Sequence, residues 1–127
     1  MKKPKMQLLV IEPDEEPKVQ IIDGSLKAMH RIVGGYIETM KFCNINGKRI
    51  IVVCNEEGKL LGLPKNMNIR GDSIVGTVFL CGDNEDELRG LTDDEVIKCK
   101  AILNLLKSAN NIKMTANDTG ISPAVNV

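Results

Sequence analysis

The dipeptide Asn46-Gly47 constrains this chain more than any other feature, because it lies between two strand-like runs, "YIETMKFCNI" and "KRIIVVCN". Asn-Gly readily adopts the two left-handed conformations of a type I′ turn, the favoured two-residue connection of a β-hairpin. Pairing Ile45 with Lys48 then fixes the register of both strands, since a one-residue slip would turn every side chain to the other face of the sheet.

This register sorts the side chains of the hairpin into an apolar half near the turn and a polar half at the open end. Four predicted pairs share one side of the sheet: Phe42 with Ile51, Met40 with Val53, Glu38 with Asn55, and Tyr36 with Glu57. The opposite side carries the pairs Cys43 with Ile50 and Thr39 with Cys54. The polar end has two interpretations. It is an exposed sheet end capped by a turn, or it is a pocket rim where Gly34-Gly35 lets a ligand approach the backbone.

The remaining pattern predicts an α+β domain with a mainly antiparallel sheet of about five strands and two helices. Apolar runs predict strands at residues 6–11, 18–23 and 73–81, the last of them central and carrying a bulge at Gly76. A short helix begins at a cap formed by Asp23 or Ser25, and it ends at Gly34 in the left-handed conformation. Residues 59–72 are predicted to form an irregular connector.

The strongest helix signal begins at Thr92, which is placed to form a capping box with Glu95. The helix carries an apolar stripe that predicts packing on one face of the sheet, and a second apolar row widens it: Ile97, Ala101 and Leu105. The extra row would either pack under the C-terminal tail or form an oligomer contact, most simply in a two-fold homodimer. The pattern predicts a single domain, with a core at about residues 6–110 and a polar tail at 111–127.

Composition excludes several classes of function. Lysine plus arginine and aspartate plus glutamate both number 17, and aromatic residues make up only 2%, so the chain lacks the charge and the stacking side chains that bind nucleic acid. No apolar run approaches the roughly 20 residues of a membrane span or the length of a signal-peptide core, which predicts a cytoplasmic protein.

Catalytic and metal-binding motifs are also missing from the sequence. The four cysteines form no C-x-x-C pair, so they are predicted to be reduced, buried residues and not metal ligands. There is no phosphate-binding glycine loop, nucleophile elbow or zinc-protease motif. The sequence therefore predicts a protein that is not an enzyme and that holds no metal or cofactor.

Three segments, "VGGYIE", "NEEGK" and "GDSIVGT", resemble a family of small domains of unknown function that occur in bacteriophages, mobile elements and Gram-positive bacteria. The resemblance covers roughly residues 6–95 and brings no catalytic residues with it. Its settings imply a phage-type accessory protein. By analogy of context, such a protein resembles small phage proteins that sequester nucleotide-derived signals of host immunity, such as cyclic ADP-ribose isomers or cyclic oligonucleotides.

Together these observations predict a non-enzymatic small-ligand-binding protein with a counter-defence role. The alternative is a protein-interaction module that inhibits a host factor through the row on the last helix. The predicted ligand site comprises the glycine-rich stretch and nearby polar residues: Gly34, Gly35, Tyr36, Glu38, Asn55, Glu57, Asn66 and Thr77.

Each part of this predicted site has an assigned role. The glycine N–H groups would meet a phosphate or carboxylate, Tyr36 would stack on a base or cover a ribose, and the acids and Asn55 would bind hydroxyl or amino groups. The alternative role for Tyr36 is structural, with its ring covering the sheet edge.

Overall fold

The computed structural model describes residues 4–119, with side chains described from residue 4 to residue 108. The chain divides into two compact units, the first ending at Val96 and the second beginning at Ile97. The described part of the first unit contains eight strands and one short helix. Their order is β1 (Met6–Ile11), β2 (Lys18–Ile22), α1 (Leu26–Val33), β3 (Ile37–Ile45), β4 (Lys48–Asn55), β5 (Lys65–Ile69), β6 (Asp72–Val75), β7 (Val78–Asp83) and β8 (Leu88–Arg89). Helix α2 (Asp93–Thr119) begins in the first unit and forms the described part of the second.

Six of these strands form one antiparallel sheet in the order β2-β1-β7-β4-β3, with β8 pairing onto the end of β7. Strands β5 and β6 form a separate two-stranded hairpin. The α+β class with a mainly antiparallel sheet and two helices is therefore confirmed, with one strand more in the main sheet than the sequence predicted.

The hydrophobic core is centred on β7, whose residues Val78 to Cys81 are 0% exposed. Continuous burial on both faces is typical of a strand in the middle of a sheet. Helix α1 covers one face through Met29 and Val33, which pack against residues of β1, β4 and β7. Burial of this kind contributes roughly 25 cal/mol for each Å² of apolar surface removed from water.

Helix α1 begins and ends where its sequence predicts. The Ser25 side chain accepts a hydrogen bond from the backbone N–H of Ala28, so Ser25 and not Asp23 is the cap. Asp23 instead accepts a hydrogen bond from the Ser25 backbone N–H. Hydrogen bonding with the Ser25 side chain, followed by that with its backbone N–H, lowers the pKa of the Asp23 carboxyl. Gly34 ends the helix with φ 81°, a conformation that glycine adopts without steric penalty.

The hairpin turn is confirmed, but the register behind it is different. Asn46 and Gly47 have φ values of 52° and 78°, and Ile45 pairs with Lys48 as predicted. A β-bulge at Phe42 then shifts the pairing by one residue. The prediction was wrong beyond this point, because the observed pairs are Lys41 with Ile51, Met40 with Val52, Thr39 with Val53, Glu38 with Cys54, and Ile37 with Asn55.

The predicted strand at residues 73–81 is two strands, and the predicted irregular connector contains a third. Gly76 has φ 77°, which breaks the run so that β6 joins the small hairpin and β7 joins the main sheet. Residues 65–69 form β5, which connects to β6 through a turn at Arg70 and Gly71 with φ values of 51° and 83°. Arginine is not typical of the first position of a type I′ turn, so the sequence carried only a weak signal for this hairpin.

Helix α2 begins with the predicted capping box. The Thr92 N–H donates to Glu95 Oε1 at 2.9 Å, and the Glu95 N–H donates to Thr92 Oγ1 at 3.1 Å. The helix passes residue 110, where the sequence placed the end of the core, and continues to Thr119; residues 120–127 of the predicted tail lie outside the described residues. Between residues 4 and 119 no helix is long and apolar enough to cross a membrane.

Candidate functional site

A cavity of about 210 Å³ opens between the end of the β3-β4 hairpin and the small β5-β6 hairpin. Its wall comprises residues 38–40 of β3, Cys54 and Asn55 of β4, parts of the turn at residues 56–60, and all of β6. We call this the acidic cavity, because the described residues that line it include three acids, Glu38, Glu56 and Asp72, and one lysine, Lys59.

One of the three carboxylates is already paired. Lys59 Nζ lies 2.9 Å from Asp72 Oδ1, and both side chains are about half exposed to solvent. An exposed pair of this kind contributes little to stability, but it joins the turn after β4 to β6 across the mouth of the cavity. Because Lys59 and Asp72 balance each other, Glu38 and Glu56 give the cavity lining a net negative charge.

One wall of the cavity is apolar. Cys54 is buried there, and its Sγ lies 3.6 Å from the carbonyl oxygen of Glu38. Burial raises the pKa of the Cys54 thiol, and the charge of Glu38 raises it further, so this thiol is not a reactive thiolate at neutral pH. Gly58 allows the turn to approach β6, because a Cβ at this position would lie 2.8 Å from Cγ2 of Val75.

Asn55 holds the end of the hairpin together. It is 6% exposed, its Nδ2 donates to the Val33 carbonyl at 3.2 Å, and its Oδ1 accepts from the Glu57 N–H at 2.8 Å. The amide thus joins the end of α1 to the turn after β4. Gly35 is required beside it, because a Cβ there would lie 2.9 Å from Asn55 Nδ2.

The structure brings together only some of the predicted site residues. Glu38 and Asn55 line the acidic cavity, whereas Glu57 is exposed in the adjoining turn. The predicted opposition of Tyr36 to Glu57 is wrong, because the Tyr36 carbonyl accepts a hydrogen bond from the Glu56 N–H and the bulge has shifted the strand. The Tyr36 ring is 67% exposed and packs edge-on against His30, with the ring centroids 5.3 Å apart.

The backbone N–H groups of Gly34 and Gly35 have partners within the fold. Both donate to the carbonyl oxygen of His30, at 2.8 and 3.1 Å, which completes the C-terminal cap of α1. The structure thus gives these N–H groups a capping role, and ligand binding at this segment stays a prediction from the sequence.

Asn66 and Thr77 lie away from the acidic cavity. The Asn66 amide donates to the carbonyls of Ile11 and Gly76, at 2.9 and 2.8 Å, and so joins the small hairpin to the end of β1. Thr77 lines a different cavity of about 250 Å³, beside α1, together with Glu12 and Arg31. A third cavity, of about 530 Å³, borders α1 at Met29 and is lined by core side chains such as Met6 and by charged ones such as Glu87 and Arg89.

Sequence reasoning missed the contribution of β6 to the site. Asp72 and Ser73 reach the cavity only because the chain reverses at Arg70-Gly71 and forms the β5-β6 hairpin. The available signal was Gly71 between two short runs of alternating residues, which is weaker than an Asn-Gly pair. Lys59 and Glu56 were visible as charged residues, but their position follows from the turn that Asn55 holds.

The fold and this site define a small α+β domain with an acidic cavity between two antiparallel hairpins. The chain belongs to the family described as Domain of unknown function (DUF3846), whose family model matches residues 6–104. Searches of curated proteins and of solved structures find no match.

Proposed function

We propose that this domain is a non-enzymatic small-ligand-binding protein and that the acidic cavity holds the part of the ligand that donates hydrogen bonds. The supporting observation is that three acidic residues and one lysine line the cavity together with apolar residues, and that the lysine pairs with only one of the acids, Asp72. Ionised carboxylates only accept hydrogen bonds, so they favour amino, guanidino or hydroxyl groups and repel phosphate.

The volume of the cavity limits the size of the ligand group that can enter it. Ligand pockets typically measure about 300–1,000 Å³, whereas this cavity measures about 210 Å³. It therefore accommodates one ring or one amino-bearing group. In a nucleotide-derived immune signal, this part would be the base or the ribose, with phosphate groups outside. Sequestration of such a signal in the host cytoplasm, as a phage-type counter-defence protein, belongs to the same proposal.

The test combines ligand release with variants of matched charge. Small molecules released on denaturation of the purified protein are identified by mass spectrometry, for the wild type and for a Glu38→Gln/Glu56→Gln double variant. A hydrogen bond to a charged group contributes about 1.5–3 kcal/mol. We therefore expect the double variant to retain at most about one tenth of the ligand that the wild type retains. The control is Glu85→Gln/Asp86→Asn, which removes the same charge from an exposed loop and should retain the ligand.

Two results would contradict the proposal. Full retention by the double variant would place the ligand elsewhere, and release of no small molecule in stoichiometric amount would exclude a tightly held ligand. The second result would favour the alternative, a protein-interaction module. A specific observation supports that alternative, since Ile97 and Leu105 of the second unit are 67% and 70% exposed on α2.

Replacement of Tyr36 by Ala distinguishes the acidic cavity from the "GGYIE" segment. Tyr36 is 67% exposed, so we expect the substitution to change the free energy of unfolding by only about 0.5 kcal/mol. We also expect ligand retention close to that of the wild type, because Tyr36 does not line the acidic cavity. Loss of the ligand with unchanged stability would instead assign the binding site to the segment predicted from the sequence.

A further inference from the structure

The two edges of the main sheet differ in how their backbone is protected. At one edge, β3 carries the bulge at Phe42, and the Arg70 guanidinium donates to the carbonyls of Lys41 and Phe42, at 2.8 and 2.9 Å. Bulges and occupied backbone groups are the means by which natural proteins prevent an edge strand from pairing with another chain. The β3 edge is therefore protected.

The other edge, β2, lacks a bulge. Its five residues pair with β1 without a register shift, and β1 is its only strand neighbour in the part of the chain that the structure describes. Four of the five side chains are exposed. Two of them are apolar and share one face of the strand, with Val19 45% exposed and Ile21 61% exposed. An edge strand that has no bulge and exposes apolar side chains on one face is a site for strand pairing.

We propose that β2 pairs antiparallel with β2 of a second copy of this chain, about a two-fold axis at Gln20. In this register Val19 of each copy lies opposite Ile21 of the other, so the exposed apolar residues form two cross-strand pairs. Gln20 lies opposite its own equivalent. The contact is self-complementary, and it extends the proposed ligand-binding domain to a dimer with one continuous sheet.

Charge favours a second copy as the occupant. The loop that precedes β2 has only acidic charges, from Glu12, Asp14, Glu15 and Glu16, whereas the segment that follows β2, through α1, has two basic residues, Lys27 and Arg31, and one acid, Asp23. In an antiparallel pair, the segment preceding β2 in one copy lies beside the segment following β2 in the other. The two-fold axis therefore places each acidic loop beside a segment of the other copy in which Lys27 and Arg31 outnumber Asp23, which is a favourable arrangement.

The proposed register predicts one specific disulfide. Directly opposed residues of antiparallel strands have Cα atoms about 4.5–5.5 Å apart, within the range of a disulfide. In a Cys43→Ser background, which removes a partly buried native thiol, Gln20→Cys should form disulfide-linked dimers under mild oxidation. The control Lys18→Cys should not, because its equivalent is four positions away, about 14 Å along the strand. Equal crosslinking of both variants, or of neither, would overturn the proposal.

Mass measurement by analytical ultracentrifugation tests the surface without crosslinking. We expect the wild type to approach twice the mass of one chain as its concentration rises. Val19→Lys/Ile21→Lys should stay monomeric, because it places four lysines together. Leu105→Glu, which removes an exposed apolar residue of α2, should dimerise like the wild type. A wild type that stays monomeric at millimolar concentration would overturn the proposal. Monomer formation by Leu105→Glu alone would also do so, and would support the α2 contact that the sequence predicts.

Discussion

Replacement of Glu95 by Ala is expected to lower the free energy of unfolding by about 3–5 kcal/mol, because it leaves the Arg89 charge partly buried without its partner. The two side chains form a bidentate pair, with Arg89 Nη1 and Nη2 lying 2.8 and 2.9 Å from the two Glu95 oxygens. Their side chains are 18% and 5% exposed. Gly82 allows this packing, because a Cβ there would overlap the Arg89 guanidinium.

The control for this prediction is Thr92→Ala, which removes one hydrogen bond of the capping box but leaves the ion pair intact. Loss of a cap typically costs about 1 kcal/mol. Both variants are measured by urea unfolding at neutral pH. If Glu95→Ala costs no more than Thr92→Ala, the ion pair makes no contribution beyond the cap, and the prediction is wrong.

The same pair predicts a dependence of stability on pH. The hydrogen bonds from Arg89, followed by those from Thr92, hold the pKa of the Glu95 carboxyl below its ordinary value of 4.5. Stability from a carboxyl with a lowered pKa is present above the unfolded pKa and is lost as pH falls through the folded pKa. The difference in unfolding free energy between wild type and Glu95→Gln should therefore decrease as pH falls below about 4.5. A difference that stays constant down to pH 2 would contradict this assignment.

Replacement of Asn55 by Ala is expected to cost about 2–3 kcal/mol of unfolding free energy, because it leaves the Val33 carbonyl and the Glu57 N–H without their hydrogen-bond partner. The matched control is Asn44→Ala, which makes the same substitution at an exposed position of β3. The control should change stability by no more than about 0.5 kcal/mol.

Thermal unfolding of the two asparagine variants provides the measurement. For a domain of this size, each kcal/mol corresponds to roughly 4 °C in Tm. Equal Tm values for Asn55→Ala and Asn44→Ala would show that the Asn55 amide does not hold the end of the hairpin. The predicted loss of stability also explains why the ligand test uses Glu38 and Glu56: their removal leaves the contacts of Asn55 in place.

The tertiary structure decided the composition of the candidate site. The sequence predicted that Glu38 and Asn55 would lie near each other, and both line the acidic cavity, although they are not directly paired as predicted. The register changes at the bulge at Phe42, where Arg70, distant in the sequence, donates hydrogen bonds to the carbonyls of Lys41 and Phe42. A prediction that starts at the turn and pairs the two strands one residue at a time cannot include a contact with a residue outside the hairpin.

The sequence by itself determined those features whose physical cause lies within a few residues. The Asn46-Gly47 turn, the Ser25 and Gly34 caps and the Thr92–Glu95 capping box all follow from local backbone conformations and hydrogen bonds over short separations. The bulge at Phe42, which Arg70 contacts from 28 positions away, and the attachment of Asn66 to Ile11, 55 positions away, depend on packing between segments that are distant in the chain. Their energies arise only when those segments are brought together, so only the tertiary structure decided them.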